Sequence, residues 1–276
     1  MRNQTREGHE VTVLSSDCLR GTVALVTGGG TGLGKATALQ LARCGASVVV
    51  AGRRAELLDQ AVTEIEAVGG EGLAVSADIR DEEQVRDLVD QVLERFGRID
   101  TLVNNAGGQF AAPAEQITSK GWRAVHRLAV DATWAVTREV ANRAMIPQKS
   151  GAIFFMAFSP RRGIASMVHA TSARAALENL ASGLALEWSR YGIRTVCVAP
   201  GTIATEGMED NYTAEARAQW EAAVPLGRLG TSEDVAGVIG FLASPAASYI
   251  TGTTIVIDGG ADAWGNAHPV PVREEN

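Results

Sequence analysis

The sequence predicts an α/β fold, a doubly wound parallel sheet of about seven strands with helices on both faces. Three features predict it. Short apolar runs without polar alternation recur along the chain, as strands covered on both faces require. Amphipathic stretches at helical period separate them, the alternation that builds parallel sheets. The first apolar run, 23–27, enters a turn with glycines at 28, 29, 30, 32 and 34, which then opens a helix. With 276 residues, 46% of them hydrophobic, and a mean hydropathy of +0.03, the chain suffices for one large core. One domain over 20–262 is expected, between loose tails at 1–19 and 263–276 that carry no periodic pattern.

The elements follow in order. Val23 to Thr27 is the first strand, and KATALQLARCG continues the helix after the glycine turn. Ala46 to Ala51 is a buried strand, Ala55 to Val68 an amphipathic helix and Gly72 to Ala77 a strand. Asp81 stands where a carboxylate caps the helix Glu82 to Phe96. Ile99 to Val103 is the fourth strand, Ser119 to Ile146 a long helical region, Ala152 to Met156 the fifth strand and Ser166 to Arg190 a second long helix. Ile193 to Val198 is the sixth strand; helix Ser232 to Ala243 and strand Thr253 to Ile257 close the fold. The polar, irregular stretch 201–224 breaks the alternation where a lid over the strand ends would lie.

Composition excludes several classes of function. A net charge of −7 and a pI near 5.2 leave no basic face for nucleic acid; the short basic clusters are Arg53-Arg54 and Arg161-Arg162. The second pair reads as a CoA-phosphate contact or as solvated loop charge. Three cysteines (18, 44 and 197) without paired metal spacing suit reduced thiols, so neither a disulfide nor a metal site is expected. No apolar run approaches the ~20 residues of a membrane span, and the polar start lacks a signal-peptide core. A cytoplasmic protein is expected, with no membrane partner.

A strand, a tight glycine turn and a helix N-terminus are what a dinucleotide pyrophosphate needs, because unpaired amides and the helix dipole meet the phosphates there. Alone, such a turn also reads as a flexible connector. Three more signals fall at strand ends: Asp78 after strand three, Asn104-Asn105-Ala106-Gly107 after strand four, and Pro200-Gly201 after strand six. Together with Thr27 to Gly34 they resemble the short-chain dehydrogenase/reductase family over about residues 20–260. The resemblance implies a Rossmann fold and a nicotinamide cofactor. Gly28, Thr31, Gly32, Leu33 and Gly34 would hold the pyrophosphate, and Asp78, beside Ile79, would receive the adenine amino group. Asn104, Asn105, Ala106 and Gly107 would line the adenosine side, Pro200, Gly201 and Ile203 the nicotinamide side, and Arg174 its ribose. A carboxylate at the end of strand two would accept from the 2′-hydroxyl of NAD; Gly52 followed by Arg53 and Arg54 suits the 2′-phosphate of NADP(H) instead. Otherwise both arginines merely solvate the start of helix two.

The stretches NNAGGQF, PAEQITSKGWRAV, HATSARAALENLASGLALEWSRYGIR and LASPAASYITGTTIVIDGG look like the trans-2-enoyl-CoA reductase branch, with the 2,4-dienoyl-CoA reductases as cousins. That implies a small-molecule substrate linked to CoA, and assembly as a homodimer or homotetramer through the two long helices. The family's Asn, Ser, Tyr and Lys set is replaced. Aligned positions hold Ala129 for asparagine, Ala157-Phe158 for serine, Ala170 for tyrosine and Arg174 for lysine. The dienoyl branch's acid falls on Ser159 and its helix asparagine on Asp131; the enoyl branch's tyrosine falls on Glu178.

Reducing a ketone needs an acid at the oxygen in the same event, whereas an unsaturated thioester accepts hydride at its β-carbon and needs donors for the enolate oxygen. The replaced set suits the second reaction. Ser159, Arg174 and Asp131 are the candidate catalytic residues, with Thr171 and Ser172 as further hydroxyl donors. Arg174 adds positive charge but cannot usefully donate a proton. His169 reads as an acid or as a packing residue at a helix start. Trp122, Trp134 and Trp188 read as core or interface packing. The expected activity is NADPH-dependent reduction of an enoyl thioester or another bulky unsaturated substrate. The alternatives are a carbonyl reductase or hydroxyacyl dehydrogenase using Ser159 with Arg174, and a catalytically silent cofactor-binding partner subunit.

Overall fold

The computed structural model describes residues 14–159, 163–205 and 213–264. Its strands are β1 (Val23–Thr27), β2 (Ser47–Gly52), β3 (Glu71–Ser76), β4 (Thr101–Asn104), β5 (Gly151–Met156), β6 (Ile193–Pro200), β7 (Ile203–Ala204), β8 (Gly230–Thr231) and β9 (Thr253–Ile257). Seven of them form one parallel sheet in the order β3-β2-β1-β4-β5-β6-β9, and β7 pairs β8 alone. The seven-stranded doubly wound sheet is therefore as the sequence predicts. β1 is buried at every position and pairs with β2 on one side and β4 on the other. Because the chain leaves β3 for the far side of β1, the strand order reverses between β1 and β4. A crevice opens there beyond the carboxyl ends of the strands.

Helices cover both faces. α1 (Gly32–Arg43), α2 (Ala55–Ala67) and α7 (Ser232–Ala243) bury Leu41, Leu58, Ile65, Val235 and Ile239 on one face. α3 (Glu82–Phe96), α4 over 119–148 and α5 (Val168–Trp188) bury Val92, Val136, Val140, Leu177 and Leu184 on the other. Asp81 caps α3 as expected, accepting from the amides of Glu83 and Gln84. α4 is not the uninterrupted helix of the sequence reading: five-residue π-helical segments, Arg127–Asp131 and Ala141–Met145, lie within it. Such π turns concentrate at functional sites, and the first carries Ala129 and Asp131. α5 starts at Val168 rather than Ser166, whose φ of 63° is left-handed and cannot open a right-handed helix.

Two further expectations change. Residues 14–19, expected within a loose tail, pack on the domain: Leu19 is buried, and its amide donates to the carbonyl of Cys44 at 2.8 Å. The stretch 201–224 holds β7 and α6 (Ala214–Ala222); within it, 206–212 lies outside the described residues. At the other end, α8 (Ala261–Trp264) carries regular structure past 262. Among the described residues, no helix is long and apolar enough to cross a membrane.

Candidate active site

A cavity of about 250 Å³ opens at the β1/β4 crevice, lined among others by Gly28, Thr31, Leu33, Gly34, Arg53, Arg54, Asp78, Ile79, Ala106 and Gly107. Ten of the sequence-predicted cofactor positions are thus brought together. The glycine turn is shaped by sterics. Gly28 (φ 65°) donates its amide to the carbonyl of Ala51 at 2.7 Å. A Cβ on Gly34 would overlap the carbonyl oxygen of Gly28 and stand 2.5 Å from Asn105 Nδ2. Gly32 differs: at φ 52° its Cβ would meet nothing within 4 Å, so the space beyond α1 stays open. Thr31 gives α1 no side-chain cap, and the first turn holds no acidic residue. Unpaired amides at an open helix N-terminus beside a glycine cradle fit a pyrophosphate.

Thr27, which the sequence reading left without a role, and Asn105, expected only to line the adenosine side, hold this turn. Buried Thr27 accepts at Oγ1 from the amides of Asn105 and Ala106, both at 3.1 Å, and Asn105 Nδ2 donates to the carbonyls of Thr27 (3.0 Å) and Gly28 (3.2 Å). They tie the end of β4 to the end of β1. Both stood inside quoted motifs, but their internal bonds leave no signature in spacing. Asn104, expected to line the site, is buried behind it, donating Nδ2 to Thr137 Oγ1 at 3.0 Å. Adjacent strand residues face opposite sides, so Asn104 points away from the cavity that Asn105 faces.

At the end of β2, Arg53 and Arg54 are exposed on the cavity wall. Arg54 Nη2 donates to Thr31 Oγ1 at 3.4 Å. Asp78 lines the same cavity, but its carboxylate accepts from Arg80 Nε (2.9 Å) and Nη2 (2.5 Å). Those hydrogen bonds hold its pKa down at about 2, with the Arg53 charge adding to the effect. Any adenine amino group there shares Asp78 with Arg80.

The other half of the crevice departs from expectation. Arg174 is 8% exposed; it donates to the carbonyl of Met156 and its Cζ lies 5.1 Å from the Phe158 ring centroid. Burial pushes its pKa down to about 10, so it remains a cation at neutral pH. Any Cβ on Gly107 would overlap the guanidinium, which makes that glycine a condition for Arg174's position. Beside it, Ala129 and Ala170 are buried with Val125 and Ala173 in a small apolar cluster, flanked by Phe158 and Met167. The aligned asparagine and tyrosine positions are thus closed and apolar.

The other expected catalytic residues do not converge. Ser159 is 5% exposed, and its hydroxyl donates to Asp258, whose carboxylate also accepts from the amides of Gly260 (2.8 Å) and Asp262 (2.7 Å). Its proton is directed into the fold. Thr171 bonds back to the Met167 carbonyl and Ser172 to that of His169, as helical hydroxyls do. Asp131 is exposed on the outer face, in a separate hollow with Trp134 and Arg138. Ala129 is buried while Asp131, two positions on, is exposed, so Asp131 points away. Glu178 accepts from Thr254 Oγ1 at 3.1 Å. His169 is wholly buried, with both ring nitrogens lacking hydrogen bonds and its ring 4.4 Å from that of Phe110; burial and the charge of His126 push its pKa down. It packs.

Pro200 and Gly201 end β6 on this side. The carbonyl of Pro200 accepts from the Ser159 amide at 2.8 Å, and a Cβ on Gly201 would meet Asp258 Cβ at 2.6 Å. Ile203 and Asp258 line another cavity, of about 150 Å³, so Ile203 stands apart from the cavity at the β1/β4 crevice. Asp258 belongs to the VIDGG stretch, where the sequence assigns it no role. Arg161 and Arg162 lie outside the described residues. Trp122 stacks on His126 at 4.4 Å, and Trp134 on Trp188 at 6.4 Å.

The chain is similar to known proteins over most of its length. A family model described as Enoyl-(Acyl carrier protein) reductase matches residues 28–262. A Bacillus subtilis protein named "Probable 2,4-dienoyl-CoA reductase, (2E)-enoyl-CoA-producing" is 39% identical over 249 residues, covering 89% of this chain and 97% of its own. A 3-oxoacyl-(acyl-carrier-protein) reductase from Synechocystis is 40% identical over 245 residues, covering 88% and 97%. Among solved structures, the citronellol catabolism dehydrogenase of Pseudomonas aeruginosa superposes with a TM-score of 0.81 at 38% identity, over 91% of this chain and 98% of that one.

Proposed function

The chain belongs to the short-chain dehydrogenase/reductase family, whose members use NAD(P)(H), and on that premise we propose that it is an NADPH-dependent reductase of enoyl thioesters carried on CoA or a similar acyl carrier. One observation carries the reading: this half of the crevice holds a buried cation, Arg174, but no acid in the family's position. Ala129 and Ala170 are apolar, and the hydroxyls of Ser159, Thr171 and Ser172 are each donated elsewhere.

A bound reduced nicotinamide supplies the hydride. The open, uncapped start of α1 would hold the pyrophosphate, and Arg53 with Arg54 would donate charge-assisted hydrogen bonds to the 2′-phosphate. Arg174 orients the ribose and stabilises negative charge on the thioester oxygen, an electrostatic role that a fixed buried cation fills without moving. The α-carbon takes its proton from water. The relatives named as 2,4-dienoyl-CoA reductases support a CoA-linked unsaturated substrate. A carbonyl-reductase reading has named relatives too, but needs a hydroxyl that Ser159 directs to Asp258. Three free thiols suit a cytoplasmic location. The outward residues of α4 and α5, Trp134 and Leu186 among them, support assembly as a homodimer or homotetramer.

The test is NADPH consumption with crotonyl-CoA, a 2,4-dienoyl-CoA and acetoacetyl-CoA. Turnover of either unsaturated thioester well above that of the ketone is expected. Ketone reduction alone would favour the carbonyl reading, and NADPH binding without turnover of any substrate would favour the silent partner subunit.

A further inference from the structure

The segment that leads into the fold brings two thiols together. Residues 14–20 wrap over the carboxyl end of α1: Cys18 and Arg20 donate amides to Ser15 and Asp17 in tight turns, and Leu19 bonds the carbonyl of Cys44 at 2.8 Å. Gly45 turns the chain at φ 94°, where a Cβ would stand 3.1 Å from the Ser16 carbonyl oxygen and 3.3 Å from the Arg20 amide nitrogen. Leu14 reaches α7, 3.2 Å from where a Gly240 Cβ would be. Cys18 and Cys44 are thus anchored on adjacent backbone, 26 positions apart in sequence. Gln40 Nε2 donates to Cys44 Sγ at 3.5 Å. Burial first, and then the neighbouring Cys18, push the Cys44 thiol up to about 11. Cys18 is half-buried and Cys44 buried.

We propose that Cys18 and Cys44 form an intramolecular disulfide on exposure to a peroxide, fastening segment 14–20 to the carboxyl end of α1. Cys18, the more accessible thiol, attacks first. Its thiolate forms an S–O bond as the peroxide O–O bond breaks, leaving a sulfenic acid and releasing hydroxide, which is protonated to water. Cys44 then forms the S–S bond as the S–O bond breaks, releasing a second water. Two thiols lose two electrons and two protons in total, and one hydrogen peroxide is reduced to two waters. Cys44's raised pKa makes it the slower partner, suited to the second step, where its neighbour is already in place. Cys197 is buried in the sheet and pushed up to about 12, chiefly by burial, so it serves as an internal reference.

The experiment treats the full-length protein with hydrogen peroxide, alkylates it in denaturant and counts modified cysteines by intact mass. Two of the three thiols should be lost from a monomeric chain, dithiothreitol should restore them, and a tryptic map should join the Cys18 and Cys44 peptides. Thermal midpoint should rise by roughly 5–10 °C, as expected for a bridge closing a loop of this length. Cys197→Ser should keep the bridge, while Cys18→Ser or Cys44→Ser should lose it and the thermal shift together. Three alkylatable thiols after excess peroxide, a bridge between chains, or equal thiol loss in Cys18→Ser would each overturn the proposal.

Discussion

The two halves of the crevice are built in different ways. On the side of β1 to β4, backbone makes the site: glycines at 28, 32 and 34 set the path, and Thr27 and Asn105 lock it with bonds to main chain. Across β5, β6 and α5, side chains must make it, and here the expected residues scatter. Arg174 is buried beneath Gly107, Ser159 is tied to Asp258, and Asp131 lies on the outer surface. A site made of backbone tolerates little change in sequence, so its spacing remains readable. A site made of side chains can lose its chemistry while the fold around it persists.

The comparison breaks most severely at Gly34. Gly34→Val would drive a branched side chain into the Gly28 carbonyl and Asn105, a clash with backbone that no rotamer relieves. NADPH affinity should fall below detection and thermal midpoint should drop, whereas Gly32→Ala, facing open space but strained at φ 52°, should keep the fold, lower the thermal midpoint by less and weaken the cofactor. Calorimetry and fluorescence titration of both variants check this; native affinity in Gly34→Val would refute the steric account.

Next in size is an attempt to give the second half its usual acid. Ala170→Tyr with Arg174→Lys places a phenol among Val125, Ala129 and Ala173, where overpacking costs ~1–3 kcal/mol. Enoyl turnover should fall by roughly a hundredfold, with little ketone reduction gained. A positioned acid is worth ~10²–10⁴-fold. A gain of that size with a ketone, with no enoyl activity in either form, would show that the chain is a carbonyl reductase lacking its tyrosine.

What the sequence disclosed follows the same division. The strand order, the Asp81 cap and the glycine turn were legible because each depends on local residue type: β-favouring runs, a short carboxylate, a missing Cβ. The placement of Asp131 was not, because alignment fixes a position along a helix but not the face it presents, and here Ala129 takes the inward one. Ser159 was correctly placed after β5; its partner Asp258 lies 99 positions away, and no local pattern joins them. The packing of 14–19 was hidden for a related reason: Leu19 is buried and Leu14 half-buried against the core that α1 and α7 cover, while the segment itself has no periodicity.

Arg53 sharpens the first half by separating phosphate recognition from the glycine turn. It is exposed on the cavity wall, so Arg53→Ala should leave stability unchanged. The lost charge-assisted contact, ~1.5–3 kcal/mol, should weaken NADPH by roughly 10- to 150-fold and leave NADH as it was. Equal affinities for both cofactors in the unsubstituted protein would contradict the reading of β2's end.

The smallest effect concerns Asp78, a side-chain element within the backbone-built half. Its hydrogen bonds from Arg80 hold its pKa at about 2, below the ~3.9 of a free aspartate. A depressed folded-state pKa stabilises the protein above the unfolded value, and that stabilisation is lost as pH falls from about 4 towards 2. Arg80→Ala should remove this part of the acid sensitivity, so the thermal midpoints of variant and parent should differ above pH 4 and converge below it. The same variant frees the carboxylate to accept from the adenine amino group, so NADPH affinity should rise slightly rather than fall. A constant gap between the two acid curves would mean that the Asp78–Arg80 pair, for all its short geometry, adds no more than surface ion pairs usually do.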